Sequence, residues 1–340
     1  MPFDADTLFN YLTDEITQIV QTSNYYRVLV MVIGRPGSGK STVAEYLERK
    51  LNQLYESKPR TTVFSPEYCQ IPSRSLLPEN DRTRDLPMDL RSVQLEVESD
   101  IDNPDFEPLI YKGTRTVNVI GRGLLSTQIV TSLEEESKSR IPVFAQRISM
   151  DGFHLPRSVL EKTRDPDFMF QRRGFPASFD SGLVLNLVQQ LTASCKGTEL
   201  TLEGQKMNRE GLFMFDSIDL PSISIPDFDH KLKDPTPGGS VILPTTRVII
   251  LEGNYLMLEE GKWAEIPEIV ACNCDIIHVW KIRSKDLAAI RERTARRHVD
   301  AGISPTIDKG RERYDSNDKI NGDLVDSHSM DKYVEMFIEN

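Results

Sequence analysis

The sequence predicts an α/β fold built on a doubly wound, mainly parallel sheet. Two observations support this prediction. Short runs of branched apolar residues alternate with amphipathic helices along the 340-residue chain. The first of these runs, at 28–33, also leads into a glycine-rich loop and a helix. At this length the chain can bury a core without disulfides or structural metal, and we interpret residues 1–340 as one domain.

The glycine-rich loop after the first strand reads GRPGSGKS and fits the pattern G-x-x-x-x-G-K-[ST]. Its glycines let successive backbone N–H groups face one anion, and the helix that follows adds its positive end. Lys40 can reach the β- and γ-phosphates of a nucleoside triphosphate, and the Ser41 hydroxyl can bind Mg²⁺. An ordinary turn before a helix is disfavoured by the flanking elements. The predicted nucleotide-binding residues are Gly34, Arg35, Pro36, Gly37, Ser38, Gly39, Lys40, Ser41 and Thr42.

The remaining pattern divides the chain into regular segments and two irregular stretches. The stretch 66–142 is rich in proline and charge, and we interpret it as a partly ordered insertion, with disorder throughout as the alternative. The stretch 195–244 is loop-rich and contains a predicted hairpin. Residues 286–325 are rich in arginine. Helices are predicted at 4–22, 182–191 and 286–300, strands at 28–33, 61–64, 143–150, 247–251 and 276–281, and a hairpin at 109–120.

Composition limits the classes of protein to which the chain can belong. With 41 Lys and Arg against 52 Asp and Glu, the net charge is −11, which disfavours binding along a nucleic-acid backbone. The 4 cysteines show no zinc-binding spacing and are expected to be reduced thiols. We see no signal peptide, transit peptide or membrane-spanning run, so we expect a cytoplasmic protein that does not bind membranes. The sequence leaves the oligomeric state open.

Two acidic residues follow buried strands. Asp151 comes directly after the strand at 143–150, and Glu252 follows the strand at 247–251. In an open α/β sheet, ligands bind outside the carboxyl ends of the strands, so both carboxylates are expected at the edge that carries the phosphate loop. A phosphoryl transferase needs one carboxylate to accept the proton of the attacking hydroxyl and another near Mg²⁺. The alternative for each is a turn residue or a helix cap.

Basic residues cluster at two places that could complement these acids. Arg291, Arg293, Arg296 and Arg297 fall on one predicted helix and span more than one face of it, so only some can meet phosphates. The others would form a solvated basic face. Arg172 and Arg173 lie in a loop beyond Asp151 that could hold an anionic or hydroxyl-bearing substrate, against plain solvent exposure.

Four other polar residues stand out. His154 follows Asp151 closely and could orient a substrate, although a lone histidine is commonly structural. His230 carries a weaker version of the same hypothesis. Asn317 and Asn321 could be turn residues.

Taken in order, these segments resemble the phosphoribulokinase and uridine kinase family of P-loop kinases, which includes a bacterial pantothenate kinase. The segments MDGFH (150–154) and EGNYL (252–256) are most similar to the branch of fructose-transport-type or pantothenate-type kinases. The similarity covers about residues 25–60 and 143–325 and leaves 66–142 unmatched. The matching motifs are GRPGSGKST (34–42), MDGFHLP (150–156), RRGFPASFD (172–180), PDFDH (226–230), LEGNYLML (251–258) and the arginine-rich segment from 291 that ends in RHVDAGI.

The resemblance implies a three-layer, kinase-type P-loop fold that uses ATP and Mg²⁺. It implies that Lys40 and Ser41 serve the phosphates and the metal, that Asp151 is the general base, and that Glu252 is the carboxylate on the Mg²⁺ side. It also implies a lid over 286–325 and contacts to the acceptor. The implied lid arginines are Arg291, Arg296 and Arg297, and the implied acceptor contacts are His154, Arg173 and Tyr255.

We therefore expect an ATP-dependent kinase that phosphorylates a hydroxyl of a small metabolite. A regulatory or chaperone-like ATP-binding protein would need the phosphate loop and Glu252, but no base beside an acceptor pocket. A kinase acting on nucleic acid or protein is disfavoured by the acidic balance. Asp151 is the residue that separates the first hypothesis from the second.

Overall fold

The structure, a computed structural model, describes residues 5–56, 60–61, 83–85, 87, 91–133, 143–198, 214–215 and 220–340. The helices are α1 Ala5–Thr22, α2 Lys40–Glu56, α3 Arg91–Glu98, α4 Arg157–Leu160, α5 Pro166–Gln171, α6 Ser181–Lys196, α7 Glu265–Ala271, α8 Leu287–Asp300, α9 Ile307–Arg313 and α10 Lys319–His328. The strands are β1 Val28–Gly34, β2 Arg60–Thr61, β3 Arg84–Asp85, β4 Leu109–Lys112, β5 Thr116–Ile120, β6 Ile129–Ser132, β7 Ala145–Ser149, β8 Met214–Phe215, β9 Ser222–Asp229, β10 Asp234–Ile242, β11 Val248–Gly253, β12 Ile277–Arg283 and β13 Met336–Glu339.

Five parallel strands form the central sheet in the order β13–β12–β1–β11–β7. The middle strand β1 is buried along its whole length. Leu29 and Met31 pack into one core with residues of α6 and α7, and Val30 and Val32 pack into a second core with residues of α1 and α2. A strand covered on both faces needs apolar side chains at every position, which explains its continuous apolar run. The predicted α/β fold with a mainly parallel sheet is confirmed.

Most of the predicted elements of this sheet are confirmed within a few residues. The strands at 28–33, 143–150, 247–251 and 276–281 are β1, β7, β11 and β12, and the first predicted helix is α1. The sequence did not predict β13, in which only Ile338 is buried, because an edge strand of four residues leaves no apolar run. Of the predicted strand 61–64, residues 62–64 lie outside the described residues.

A second sheet has the order β10–β9–β6–β5–β4–β3 and is mostly antiparallel. The predicted hairpin at 109–120 is confirmed as β4 and β5, and the hairpin expected in the later stretch is β9 with β10. β6 pairs with β9, with Val130 opposite Ser224. Strands of the stretches 66–142 and 195–244 are therefore neighbours in one sheet. Residues 66–82, 86, 88–90, 134–142, 199–213 and 216–219 lie outside the described residues, and the short strand β8 pairs with β2 in a separate two-stranded sheet.

The two sheets meet at the edge where the acidic residues lie. Val32 in β1 is in register with Glu252 in β11, which is in register with Ser149 in β7. A 3₁₀ turn, Met150–Phe153, follows β7. At Gly152 a β-carbon would lie 2.4 Å from the carbonyl oxygen of Pro226, so only glycine allows β9 to approach this turn. Among the helices that the structure describes, none is long and apolar enough to span a membrane.

Candidate active site

The phosphate loop borders a cavity of about 610 Å³ at the carboxyl edge of the central sheet. At Gly37 the φ angle is +76°, which favours glycine, and a β-carbon there would lie 2.5 Å from Thr294 Oγ1 in α8. The loop is therefore packed closely against α8. Six of the nine predicted nucleotide-binding residues line the cavity: Pro36, Gly37, Gly39, Lys40, Ser41 and Thr42.

The other three residues of the loop are not among the described residues that line the cavity. Ser38 is fully buried, and Gly34 ends β1. Arg35 is buried and extends toward α10, where its guanidinium lies 2.7 Å from Asp326 Oδ2 and 3.3 Å from Asp323 Oδ1. We infer that Arg35 joins the loop to α10 rather than contacting a nucleotide.

Lys40 is buried at the start of α2, and its Nζ donates to the carbonyl oxygen of Arg35 at 2.9 Å. Burial lowers the pKa of Lys40 to about 8, although the negative charges of Glu252 and Asp151 oppose this shift. The ammonium form still predominates at neutral pH. Lys40 is therefore a cation held at the loop, beside the two predicted acids.

Glu252 is buried and forms two hydrogen bonds through its carboxylate. Ser41 Oγ donates to Oε2 at 2.7 Å, and Arg147 Nη1 donates to Oε1 at 2.7 Å. The hydroxyl and carboxylate oxygens are hard donors of the kind that Mg²⁺ prefers. In the described part of the chain, no group of three or more His, Cys, Asp or Glu could hold a metal by itself.

Asp151 lies in the 3₁₀ turn after β7 and lines the same cavity. Its backbone N–H donates to Ser149 Oγ at 3.2 Å, while its side chain is 44% exposed. His154 Nδ1 donates to the carbonyl oxygen of Asp151 at 2.8 Å, and the ring packs against Phe179 and Phe228. Burial lowers the pKa of His154, although Asp151 opposes the shift. A neutral His154 therefore leaves Nε2 as an acceptor.

The structure brings only one of the other three predicted acceptor contacts to the cavity. Arg173 lines it, but its guanidinium already donates to Asp234 Oδ1 at 2.8 Å and to two backbone carbonyl oxygens. Arg172 and Tyr255 are not among the described lining residues. Arg172 donates to Ser316 O and Asn321 Oδ1, and the buried Tyr255 hydroxyl donates to Gly174 O at 2.6 Å. These side chains hold the loop around Gly174 in place.

Of the predicted lid arginines, only Arg297 lines the cavity. Arg291 instead makes a bidentate ion pair with Asp315, at 2.8 Å from Nε and 2.6 Å from Nη2. Arg296 is exposed and also lies outside the described lining. Arg293, four residues before Arg297 and therefore on the same helical face, lines the cavity and donates to Gly37 O at 3.1 Å. Arg313 from α9 is a third lining arginine.

Comparison with known proteins gives the family. The chain is 33% identical over 340 residues to the ATP-dependent kinase YFH7 of Kluyveromyces lactis, and the match covers 95% of each chain. This chain belongs to the YFH7 family. The solved structure of YFH7 from Saccharomyces cerevisiae, described as a candidate P-loop containing kinase with a circular permutation, has a TM-score of 0.75 and 30% identity over 98% of both chains.

A more distant structure agrees with the YFH7 assignment in fold alone. It is a candidate fructose transport system kinase from Silicibacter sp. TM1040, with a TM-score of 0.50 and 18% identity, covering 97% of this chain and 98% of that chain. No family model matches the sequence. Membership of the YFH7 family confirms the prediction that the chain is a P-loop kinase.

The YFH7-family site also contains two asparagines that sequence reasoning misassigned. Asn317 and Asn321 lie in a π turn, Tyr314–Asp318, and in α10, so their interpretation as turn residues is wrong. Both are buried and line the cavity. Asn317 Nδ2 donates to Arg173 O at 3.0 Å, and its buried Oδ1 has no hydrogen-bond partner among the described residues. Their spacing of four residues was the available signal for a shared helical face.

The charge of the cavity is opposite to that of the whole chain. Seven Lys and Arg side chains line it, against three Asp and Glu, in a protein of net charge −11. The lining acids are Asp151, Glu252 and Asp318. A basic concave surface in an acidic protein attracts anions, and its field is strongest where water is excluded. The site is electrostatically suited to a nucleoside triphosphate.

Proposed function

We propose that this protein transfers the γ-phosphoryl group of Mg·ATP to a hydroxyl of a small metabolite. The observation that carries the proposal is that one cavity is lined by Lys40 and Ser41 of the phosphate loop, by the buried carboxylate of Glu252, and by Asp151 in the turn that follows the neighbouring strand β7. The names of the relatives support ATP as the donor. We propose a hydroxyl group as the acceptor because Asp151 can accept its proton.

Asp151 is the proposed general base. Its carboxylate is exposed to the cavity, the neutral ring of His154 lies 3.9 Å from it, and no described Lys or Arg makes an ion pair with it. It is therefore available to accept the proton of the attacking hydroxyl as the bond to phosphorus forms. His154, held by the carbonyl oxygen of Asp151, would accept a hydrogen bond at Nε2 from a different donor group of the acceptor molecule.

Charge on the transferring group would be stabilised by cations from both sides of the cavity. Lys40 would exchange its hydrogen bond with Arg35 O for one with the phosphates. Arg293, Arg297 and Arg313 would act from the lid side. Ser41 and Glu252 would hold Mg²⁺, which would neutralise part of the charge of the phosphates.

The test is ADP release from Mg·ATP with and without a panel of hydroxyl-bearing metabolites. We expect one class to stimulate turnover, and Asp151→Asn to lower the stimulated rate by on the order of 10²-fold while ATP still binds. Asp227→Asn is the matched control, because it makes the same change at an exposed carboxylate outside the cavity lining. Wild-type turnover in Asp151→Asn would refute the base. Slow, unstimulated hydrolysis that is indifferent to Asp151 would favour a regulatory ATP-binding protein.

A further inference from the structure

We propose that the acceptor carries an anionic group, bound by Arg157, His230 and Lys233 at the end of the cavity formed by the β9–β10 hairpin. The inference rests on the proposed function, since it names the class of metabolite that the kinase phosphorylates. The acceptor is then a hydroxyl compound with a phosphate ester or a carboxylate. Charge alone does not distinguish a phosphate ester from a carboxylate, so the experiment tests each of them separately.

The three residues lie around the first turn of α4 and the tip of the hairpin. The backbone N–H of Arg157 donates to Oδ1 of Asp234 at 3.0 Å. Asp234 directly follows Lys233 in the chain, so Arg157 and Lys233 lie at the same end of the hairpin. The ring of His230 lies 5.3 Å from that of Phe228, which lies 5.0 Å from the ring of His154. The hairpin end of the cavity is thus separated from the Asp151 turn by little more than one aromatic ring. A single small metabolite can reach both.

The cationic groups at this end have few partners. The Arg157 guanidinium lies 5.3 Å from the centre of the Phe170 ring and has no hydrogen bond or ion pair with any residue that the structure describes. Lys233 Nζ donates to one neutral group, the carbonyl oxygen of Gly302, at 3.2 Å. Both side chains line the cavity. Their positive charge is therefore not balanced within the described protein.

The acids of the same hairpin do not balance these charges. Asp229 Oδ1 accepts from the backbone N–H groups of Lys231 and Leu232 and closes the hairpin turn. Asp234 is paired with Arg173 at 2.8 Å. Asp227 is exposed, and none of the three aspartates is among the described residues that line the cavity. Unpaired cations that face a concave site are the arrangement that binds carboxylates and phosphates.

The sequence pattern had suggested an anion site at a neighbouring place, in the loop of Arg172 and Arg173. In the structure these two side chains already have protein partners, because Arg172 donates to Ser316 O and Asn321 and Arg173 donates to Asp234. Arg173 instead fixes Asp234, and through it the first residue of α4. The position of Arg157 therefore depends on Arg173, and Arg157 is the arginine of this pair whose guanidinium has no ion pair with a described residue.

The decisive experiment measures anion binding to the full chain by calorimetry. The protein is first saturated with Mg²⁺ and a non-hydrolysable ATP analogue, so that the γ-phosphate position is filled. Inorganic phosphate and malonate then probe the subsite in separate titrations. We expect at least one of them to bind, and Arg157→Gln/Lys233→Gln to raise its Kd about tenfold or more. Lys231→Gln is the matched control, since this lysine is exposed on the same hairpin but lies outside the cavity lining.

Stronger binding of phosphate would indicate a phosphate ester, and stronger binding of malonate a carboxylate. Absence of anion binding, or binding that is indifferent to the double substitution, overturns the subsite. A parallel turnover assay compares fructose with fructose 6-phosphate and glycerol with glycerate. Equal stimulation by the charged and uncharged members also overturns it. Anion binding without any stimulated turnover supports the subsite and counts against the proposed kinase reaction, so the two failures are distinct.

Discussion

The close packing of the phosphate loop on α8 makes Gly37→Ala an informative substitution. At φ +76° an alanine costs about 1–2 kcal/mol of backbone strain. Its β-carbon would also lie 2.5 Å from Thr294 Oγ1 and 2.9 Å from Ile290 Cγ2, both on α8. Overpacking of this kind costs typically about 1–3 kcal/mol. We therefore expect the free energy of unfolding to fall by about 2–5 kcal/mol from the two effects together.

Gly302→Ala is the matched control, because Gly302 has φ +63° and a β-carbon there would meet nothing within 4 Å. It should lose only the backbone strain, about 1–2 kcal/mol. Moving α8 away from the loop also breaks the hydrogen bond from Arg293 to Gly37 O, so we expect ATP affinity to fall tenfold or more in Gly37→Ala alone. Urea unfolding and calorimetry measure both quantities. Equal stability losses in the two variants, or wild-type ATP affinity in Gly37→Ala, would refute the reasoning.

Three further predictions concern charges. Because burial lowers the pKa of Lys40 to about 8, ATP affinity should be steady below that pH and fall about tenfold per pH unit above it, as the ammonium loses its proton. Lys40→Arg should remove this pH dependence. An ATP affinity of the wild-type protein that stays constant up to about pH 9.5 would contradict the prediction. Arg297→Gln should lower kcat by about 10-fold or more, because Arg297 lines the cavity. Arg291→Gln breaks only a surface ion pair with Asp315, so its kcat should stay within about twofold of the wild-type value. A larger loss of kcat in Arg291→Gln than in Arg297→Gln would contradict the assignment of the lining arginines. Arg147→Gln leaves the buried Glu252 carboxylate without its cation, so thermal unfolding should occur at lower temperature, and Mg·ATP should restore part of the loss; an unchanged melting temperature would argue against the pairing.

Local patterns in the sequence were enough for the central sheet and for the residues at the ends of its strands. β1 and β11 are buried along their whole lengths, and a strand covered on both faces needs a nearly continuous apolar run, so both can be predicted without knowledge of their neighbours. Parallel strands align their carboxyl ends, and this rule alone placed Asp151 and Glu252 near the phosphate loop. Each inference needed only the residues within one element and the direction of the chain.

Residues whose role depends on contacts between distant segments were not legible in this way. The pairing of β6 with β9 joins Val130 to Ser224, and no local periodicity records it. This pairing holds the β9–β10 hairpin beside the cavity, which the hairpin residues Phe228, His230 and Lys233 line. The rotation of α8 about its axis brings Arg297 to the cavity and leaves Arg291 to pair with Asp315. Helical spacing predicts which arginines share a face of α8, but the packing of α8 against its neighbours determines which face lines the cavity.

The sequence by itself therefore determined the fold class, the phosphate loop and the two carboxylates, because each is encoded by residues adjacent in the chain or by strand direction. The tertiary structure alone decided which arginines are free to act. The guanidiniums of Arg172 and Arg173 donate to residues that lie about 60 to 150 positions further along the chain, whereas the guanidinium of Arg157 has no hydrogen bond or ion pair with a described residue. A charge can bind a ligand only when the fold has not already neutralised it, and that depends on neighbours brought together by folding.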